Sequence, residues 1–303
     1  MSTDLQMKKA RIRRENRTAG AYLAPALLFI FVFMIYPLIY AGVLSFFQWT
    51  GVSAKTFVRF ENFSRLLGDQ YFWQALLNNI SVAGAAVIFQ VFAGMIIAYI
   101  LVRVAGKASK IYLFLYLVPM VVSEICIGLL WGFIYNPYFG LINAMLRGIG
   151  LESLTLGWLG NAMTAFPAVI NTMNFTYLGL YVLLFVNSIQ NMPETVFDAA
   201  KIDGANGIKS FFHIVIPMIW ESISSTILLA IISSFKTFSL VFVLTNGGPN
   251  HRSEVLSTYL YKMGFNSFQM GYASTIGFVQ MLLTALAGVV VLSFMGKKRT
   301  EQI

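Results

Sequence analysis

Charge is scarce in this chain. Asp, Glu, Lys and Arg make up 11% of its 303 residues, against about 25% in an ordinary soluble domain. So little charge cannot cover a water-soluble globule of this length, and that class is excluded. Cysteine is scarcer still. Cys126 stands alone, so no intrachain disulfide can form, and its apolar sequence neighbours assign it to packing. The only histidines, His213 and His251, belong to different loops and lack the spacing of a metal site. No P-loop is present: Gly106-Lys107-Ala108 lacks both the upstream Gly and the Ser or Thr that cradle phosphate and magnesium. No metal or cofactor is therefore expected in this chain, and any ATP that drives it is expected on another.

Apolar residues are abundant: 58% of the chain, with a mean hydropathy of +0.73. A bilayer core about 30 Å thick needs about 20 apolar residues as helix. Six segments qualify, roughly Ala21–Phe46, Asn79–Val102, Ile111–Tyr135, Ala165–Ile189, Ile219–Leu244 and Tyr272–Met295. The expected fold is all-α and polytopic: a basic segment over 1–20, one six-helix membrane domain over 21–296, and a short tail over 297–303. The first apolar run is too long for a cleaved signal peptide and is expected to remain as an anchor. No span holds a histidine or two carboxylates. No intramembrane catalytic site is expected, and the chain is not expected to be an enzyme.

The formal net charge is +9. The basic residues flank apolar segments rather than forming one clustered face, which points to orientation against membrane lipid and away from nucleic acid. One side holds Lys8, Lys9, Arg11, Arg13, Arg14, Arg17, Arg103, Lys107, Lys110, Lys201, Lys209, Lys297, Lys298 and Arg299. The other holds Lys55, Arg59, Arg65, Arg147, Arg252 and Lys262. Fourteen against six places both termini in the cytoplasm. The first outer loop then carries Phe57-Val58-Arg59-Phe60-Glu61-Asn62-Phe63 and Leu66-Leu67, suited to a short interfacial helix. The third carries Thr245-Asn246-Gly247-Gly248-Pro249, whose paired glycines before proline predict a sharp turn.

The loop over 191–217, between the fourth and fifth spans, reads as two short helices with a break. Pro193 suits a first turn and Glu194 its N-terminal charge. Gly204 and Gly207 interrupt the pattern, and Pro217 is expected to end the second piece. Periodicity alone leaves an ordinary helical hairpin equally open. The spacing is more specific: Asp198-Ala199-Ala200, three residues, Gly204, nine residues, Ile214, one residue, Ile216-Pro217. It resembles the EAA loop of ABC importer permeases, with Asp198 standing for Glu and Ile216 for Leu.

The resemblance extends over nearly the whole chain. Tyr22-Leu23-Ala24-Pro25-Ala26, Tyr36-Pro37, Phe60-Glu61-Asn62-Phe63, Leu244 to Pro249 and Gly271-Tyr272-Ala273-Ser274 resemble the sugar branch of binding-protein-dependent permeases. It implies a multi-pass protein of a prokaryotic cell membrane that forms a substrate path with a second homologous permease. It implies two ATP-binding subunits, which hold ATP and Mg, and an extracellular or periplasmic solute-binding protein. Asp198, Ala199, Ala200, Gly204, Ile214 and Pro217 would couple to the ATPase.

Lipid-facing polar groups are costly, so polar side chains in the spans are expected on inward faces. Asn171, Asn174, Tyr177 and Tyr181 form one stripe of the fourth span. Ser233, Ser234 and Thr237 lie on the fifth, where Ser234 and Thr237 fall at sugar-contact positions implied by the resemblance. Helix-to-helix hydrogen bonding is the alternative role for all seven. Two charges, Glu124 and Lys236, lie within spans. Counted along unbroken helices, both fall in the outer half of the bilayer. They are expected either to pair or share one hydrated pocket, or to snorkel separately toward water. A secondary transporter is the rival reading; a repeat or a broken helix with a coupling-ion site would be its expected mark, and the chain shows no matching halves.

Overall fold

The computed structural model describes residues 20, 22–205 and 207–300, and the side chains of 294–300 lie outside that description. The basic residues of 1–19, the first residue of the expected first span, Ala21, and the end of the tail also lie outside the described residues. Among the described residues, four helices are long and apolar enough to cross a membrane unbroken: Tyr22–Leu44, Gln70–Arg103, Ala165–Gln190 and Met270–Ser293. Two further spans are bent pairs, Gly106–Val121 with Glu124–Ile134 at 97°, and Gly207–Met218 with Trp220–Phe235 at 76°. The all-α expectation stands except for one antiparallel ribbon that pairs Phe47–Gln48 with Thr56–Phe57. It leads into the expected interfacial helix, Glu61–Gly68.

The second span starts nine residues before the expected Asn79. Asp69 caps its N-terminus, accepting from the backbone N–H of Tyr71 at 2.9 Å and Phe72 at 3.3 Å. The expected unbroken third span is corrected. Pro119 withholds one N–H from the last turn of its first helix, and Val122 and Ser123 are extended. The fifth span is corrected too. Its helix Trp220–Phe235 stops at Lys236, and a separate helix, Ser239–Leu244, follows.

Burial divides the spans. The most apolar window of the first span is 6% buried and that of the fourth is 50% buried. The first therefore faces lipid or another subunit, while the fourth is the centre of the bundle. Its Gly179 admits the third span so closely that a Cβ would lie 2.0 Å from the Tyr116 carbonyl oxygen. The largest core joins Val91, Met95 and Ala98 of the second span to Val182, Phe185 and Val186 of the fourth. It extends to Phe197, Phe211 and Val215 of the 191–217 loop. That loop is thus packed on the bundle rather than hanging from it. Cys126 is exposed, not packed as its apolar neighbours suggested, because its short helix turns that face outward.

Candidate functional site

The two spans break beside one another. Between the breaks lies a cavity of about 370 Å³, lined by residues of the second, third, fourth and fifth spans. Breaking a helix in a membrane strands its terminal carbonyls, which water cannot reach. At the fifth-span break amide side chains from other spans satisfy two of them. Asn79 Nδ2 donates to the Ser234 carbonyl at 2.7 Å, and Gln280 Nε2 to the Phe235 carbonyl at 2.6 Å.

Both intramembrane charges sit at these breaks. Glu124 is the first residue of helix Glu124–Ile134, and Lys236 caps the C-terminal end of Trp220–Phe235. A carboxylate at an N-terminus and an ammonium at a C-terminus each oppose the partial charge of their helix end. Glu124 also accepts a hydrogen bond from the Tyr177 hydroxyl. Among the described residues Glu124 and Lys236 form no ion pair with each other, but both line the cavity. Each charge lies at the far end of the helix along which its depth is counted, Lys236 at the end of Trp220–Phe235 and Glu124 just beyond Ser109–Val121.

Of the polar stripe, Tyr177 and Tyr181 line the cavity, as do Ser233, Ser234 and Thr237. Asn171 and Asn174 do not. Asn171 is exposed and its Nδ2 donates to Tyr135 Oη at 3.1 Å. Asn174 Oδ1 accepts from Gln90 Nε2 at 2.9 Å, and it is Gln90 that faces the cavity. Ser234 is buried and donates to the Ala230 carbonyl at 2.7 Å. The wall is therefore a mixture of hydroxyls, two tyrosine rings, one amide, two opposite charges and apolar Met120, Met173 and Leu180. Such a lining can hydrogen-bond hydroxyls and stack against a flat apolar face. Gln90, Asn79 and Gln280 escaped the sequence reading. Each is an amide within an apolar run, and the rule that intramembrane polar groups are partnered would have flagged them.

The 191–217 loop forms a second site at one end of the bundle. Helix Glu194–Ile202 ends in a turn where Gly204 has φ +72. Only glycine adopts that region freely, and open space surrounds the position where a Cβ would point. Asp198 and Ala199 are exposed, Ala200 is buried and Ile214 is half-buried. Asp198 pairs with Lys201 at 3.0 Å. Pro217 does not end the second helix, which runs on to Met218 and bends at Ile219. Pro217 withholds one N–H from the last turn of that helix, directly after its π-helical stretch Phe211–Val215. Ile202 is 86% exposed and Ile208 is 72% exposed, one on each side of the turn. Both are large aliphatic side chains left bare on a polar loop.

Residues 90–297 match the family model for the binding-protein-dependent transport system inner membrane component. The chain is 38% identical to the probable ABC transporter permease protein YurN of Bacillus subtilis, over 92% of this chain and 96% of that one. It is 29% identical to the diacetylchitobiose uptake system permease protein NgcF of Streptomyces coelicolor, over 89% and 80% of the two chains. Among solved structures it superposes on a bacterial alginate ABC transporter in complex with an alginate pentasaccharide-bound periplasmic protein. The TM-score is 0.79 at 19% identity, over 94% of each chain. Broken spans therefore do not separate a secondary carrier from this family, because the fold that carries them here is the importer fold.

Proposed function

The chain belongs to the family of binding-protein-dependent transport system inner membrane components, multi-pass proteins of the cell membrane, and from that premise we propose how it works. It is one of two homologous permease subunits of an ATP-driven importer, and the pair encloses a path for a sugar or sugar-derived solute. An external binding protein delivers the solute. Two separate ATPase subunits hold ATP and Mg, and each permease presents its 191–217 loop to one of them.

The observation that carries this reading is the loop itself. It keeps every spacing of the EAA pattern, turns at a positive-φ glycine, and exposes Ile202 and Ile208 where a partner would cover them. Closure of the ATPase subunits moves the loop. The two permeases then exchange inward-facing for outward-facing packing, a two-state change biased by ATP. The solute passes the cavity at the broken spans. Tyr177 and Tyr181 offer ring faces, Ser233, Ser234 and Thr237 offer hydroxyls, and Asn174 acts through Gln90. The binding proteins and sugars named for the relatives support a saccharide. Hydroxyl and aromatic lining suits one.

The test is Gly204→Asp in the complex assembled with its partner subunits. The extra side chain meets open space, so the fold tolerates it, but the backbone at φ +72 is strained and a carboxylate enters the contact surface. The membrane subunits are expected to assemble and solute import to cease. Import at the wild-type rate would refute the coupling role. The purified chain alone is expected to bind no nucleotide, and micromolar affinity for ATP would overturn the division of labour.

A further inference from the structure

Movement of the loop has to reach the cavity through something rigid. The second span, Gln70–Arg103, is one continuous helix. Its end at the 191–217 loop touches that loop at two places, one turn apart. Arg103 Nη1 lies 2.9 and 3.0 Å from the two carboxylate oxygens of Glu194. The same guanidinium sits 3.8 Å over the ring of buried Phe197. Tyr99 donates its hydroxyl to the Gly207 carbonyl at 2.8 Å, and its ring packs 5.0 Å from that of Phe211. These contacts straddle the Gly204 turn: Arg103 holds the helix before it and Tyr99 the helix after it.

The same span lines the cavity with Val82, Ala86 and Gln90. Gln90 lies 13 residues from Arg103, about 20 Å at 1.5 Å per residue. Between Ala86 and Phe92 the helix widens into a π-helical stretch, a local rearrangement often found at functional sites. Beyond the cavity, Asn79 holds the broken end of the fifth span through Ser234. One helix thus touches the loop, the cavity wall and the break.

We propose that Arg103 and Tyr99 are positioning residues that tie the coupling loop to the second span, so that loop movement reaches the cavity through that helix. The inference rests on the coupling role of the 191–217 loop. Glu194 is 65% exposed and Arg103 is 20% exposed. An ion pair that open adds little to the stability of a fold. Its contribution is geometric: without it only non-directional apolar packing and the Tyr99 hydroxyl fix where the loop sits on the span.

The experiment uses the complete complex in proteoliposomes with its binding protein, and measures solute imported per ATP hydrolysed. Arg103→Gln removes the charge and the stacking fork. It is expected to lower that ratio about tenfold, within the range by which single residues modulate coupling between sites. Tyr99→Phe keeps the ring and loses only the hydroxyl, and is expected to lower the ratio less. Arg103→Lys keeps the charge and is expected to recover part of the loss. Gly204→Asp is run beside them. A wild-type ratio in Arg103→Gln, with import lost in Gly204→Asp, overturns this inference and leaves the coupling loop standing. Wild-type import in both overturns the coupling role together with it. Loss of the assembled complex in Arg103→Gln, with an unchanged ratio in what remains, reduces Arg103 to a structural anchor and also overturns the inference.

Discussion

The two ends of the second span are held in different ways. At the loop end the polar ties are one exposed ion pair and one tyrosine hydroxyl, and the rest of the attachment is apolar packing of Phe197 and Phe211 on the span. At the other end the polar contacts are many, and most are buried or part-buried. Asp69 caps the helix and accepts from the hydroxyls of Tyr259 and Tyr272. Burial works against its charge, but those hydroxyls and the N–H groups of Tyr71 and Phe72 outweigh it and hold the carboxyl below its ordinary range. Asn78 donates to the carbonyls of Arg252 and Glu254 at 2.9 and 2.7 Å. Asn79 Oδ1 accepts from Leu256 N at 2.9 Å. Glu254 is fully buried, with His251 Nδ1 at 2.8 Å and Lys262 Nζ at 2.6 Å. One end of the helix is thus fixed by a network of polar contacts, while the other rests on apolar packing with two exposed polar ties.

The largest effect that sharpens this contrast is expected at Glu254. Glu254→Ala leaves Lys262, whose side chain is 19% exposed, without its partner. Breaking a buried charge pair in this way costs roughly 3–5 kcal/mol. It also empties the space against Gly247, whose Cα approaches so closely that a Cβ would lie 2.5 Å from Glu254 Oε1. Thermal unfolding of the detergent-solubilised complex should therefore fall far more for Glu254→Ala than for Arg103→Gln. The latter should cost at most about 1 kcal/mol, as exposed pairs do. Equal losses would erase the difference between the two ends.

A smaller effect is expected between the ends, at the cavity. If Glu124 and Lys236 serve their own helix ends, Glu124→Gln and Lys236→Met each cost about 0.3–1 kcal/mol, up to about 2 where the end is partly buried. The losses should add to within about 0.5 kcal/mol in the double variant. Recovery in the double variant would mean that the charges pair in the assembled state, and the helix-end account would fail.

What could be read from the sequence follows from how each feature is encoded. The 191–217 loop is written in fixed spacing, so its two helices and the turn at Gly204 appear where the pattern put them. The polar stripe on the fourth span follows from helical periodicity. Tyr177 and Tyr181 reach the cavity, while Asn171 and Asn174 are drawn to Tyr135 and Gln90. The breaks were not legible. Val122-Ser123 and Lys236-Thr237-Phe238 contain neither Gly nor Pro, and Pro119 alone is tolerated in membrane helices. Hydropathy sums over such short interruptions. At the fifth-span break, distant amides, Asn79 and Gln280, satisfy the stranded carbonyls of Ser234 and Phe235.

The most direct measurement of the whole account is uptake into proteoliposomes holding this chain and its partner subunits. The binding protein loaded with radiolabelled sugar is supplied outside, and either ATP inside or a proton or sodium gradient provides the drive. The account predicts accumulation with ATP and the binding protein, none when either is withheld, and none from a gradient alone. Accumulation driven by the ion gradient without ATP would contradict it and make the chain a secondary carrier.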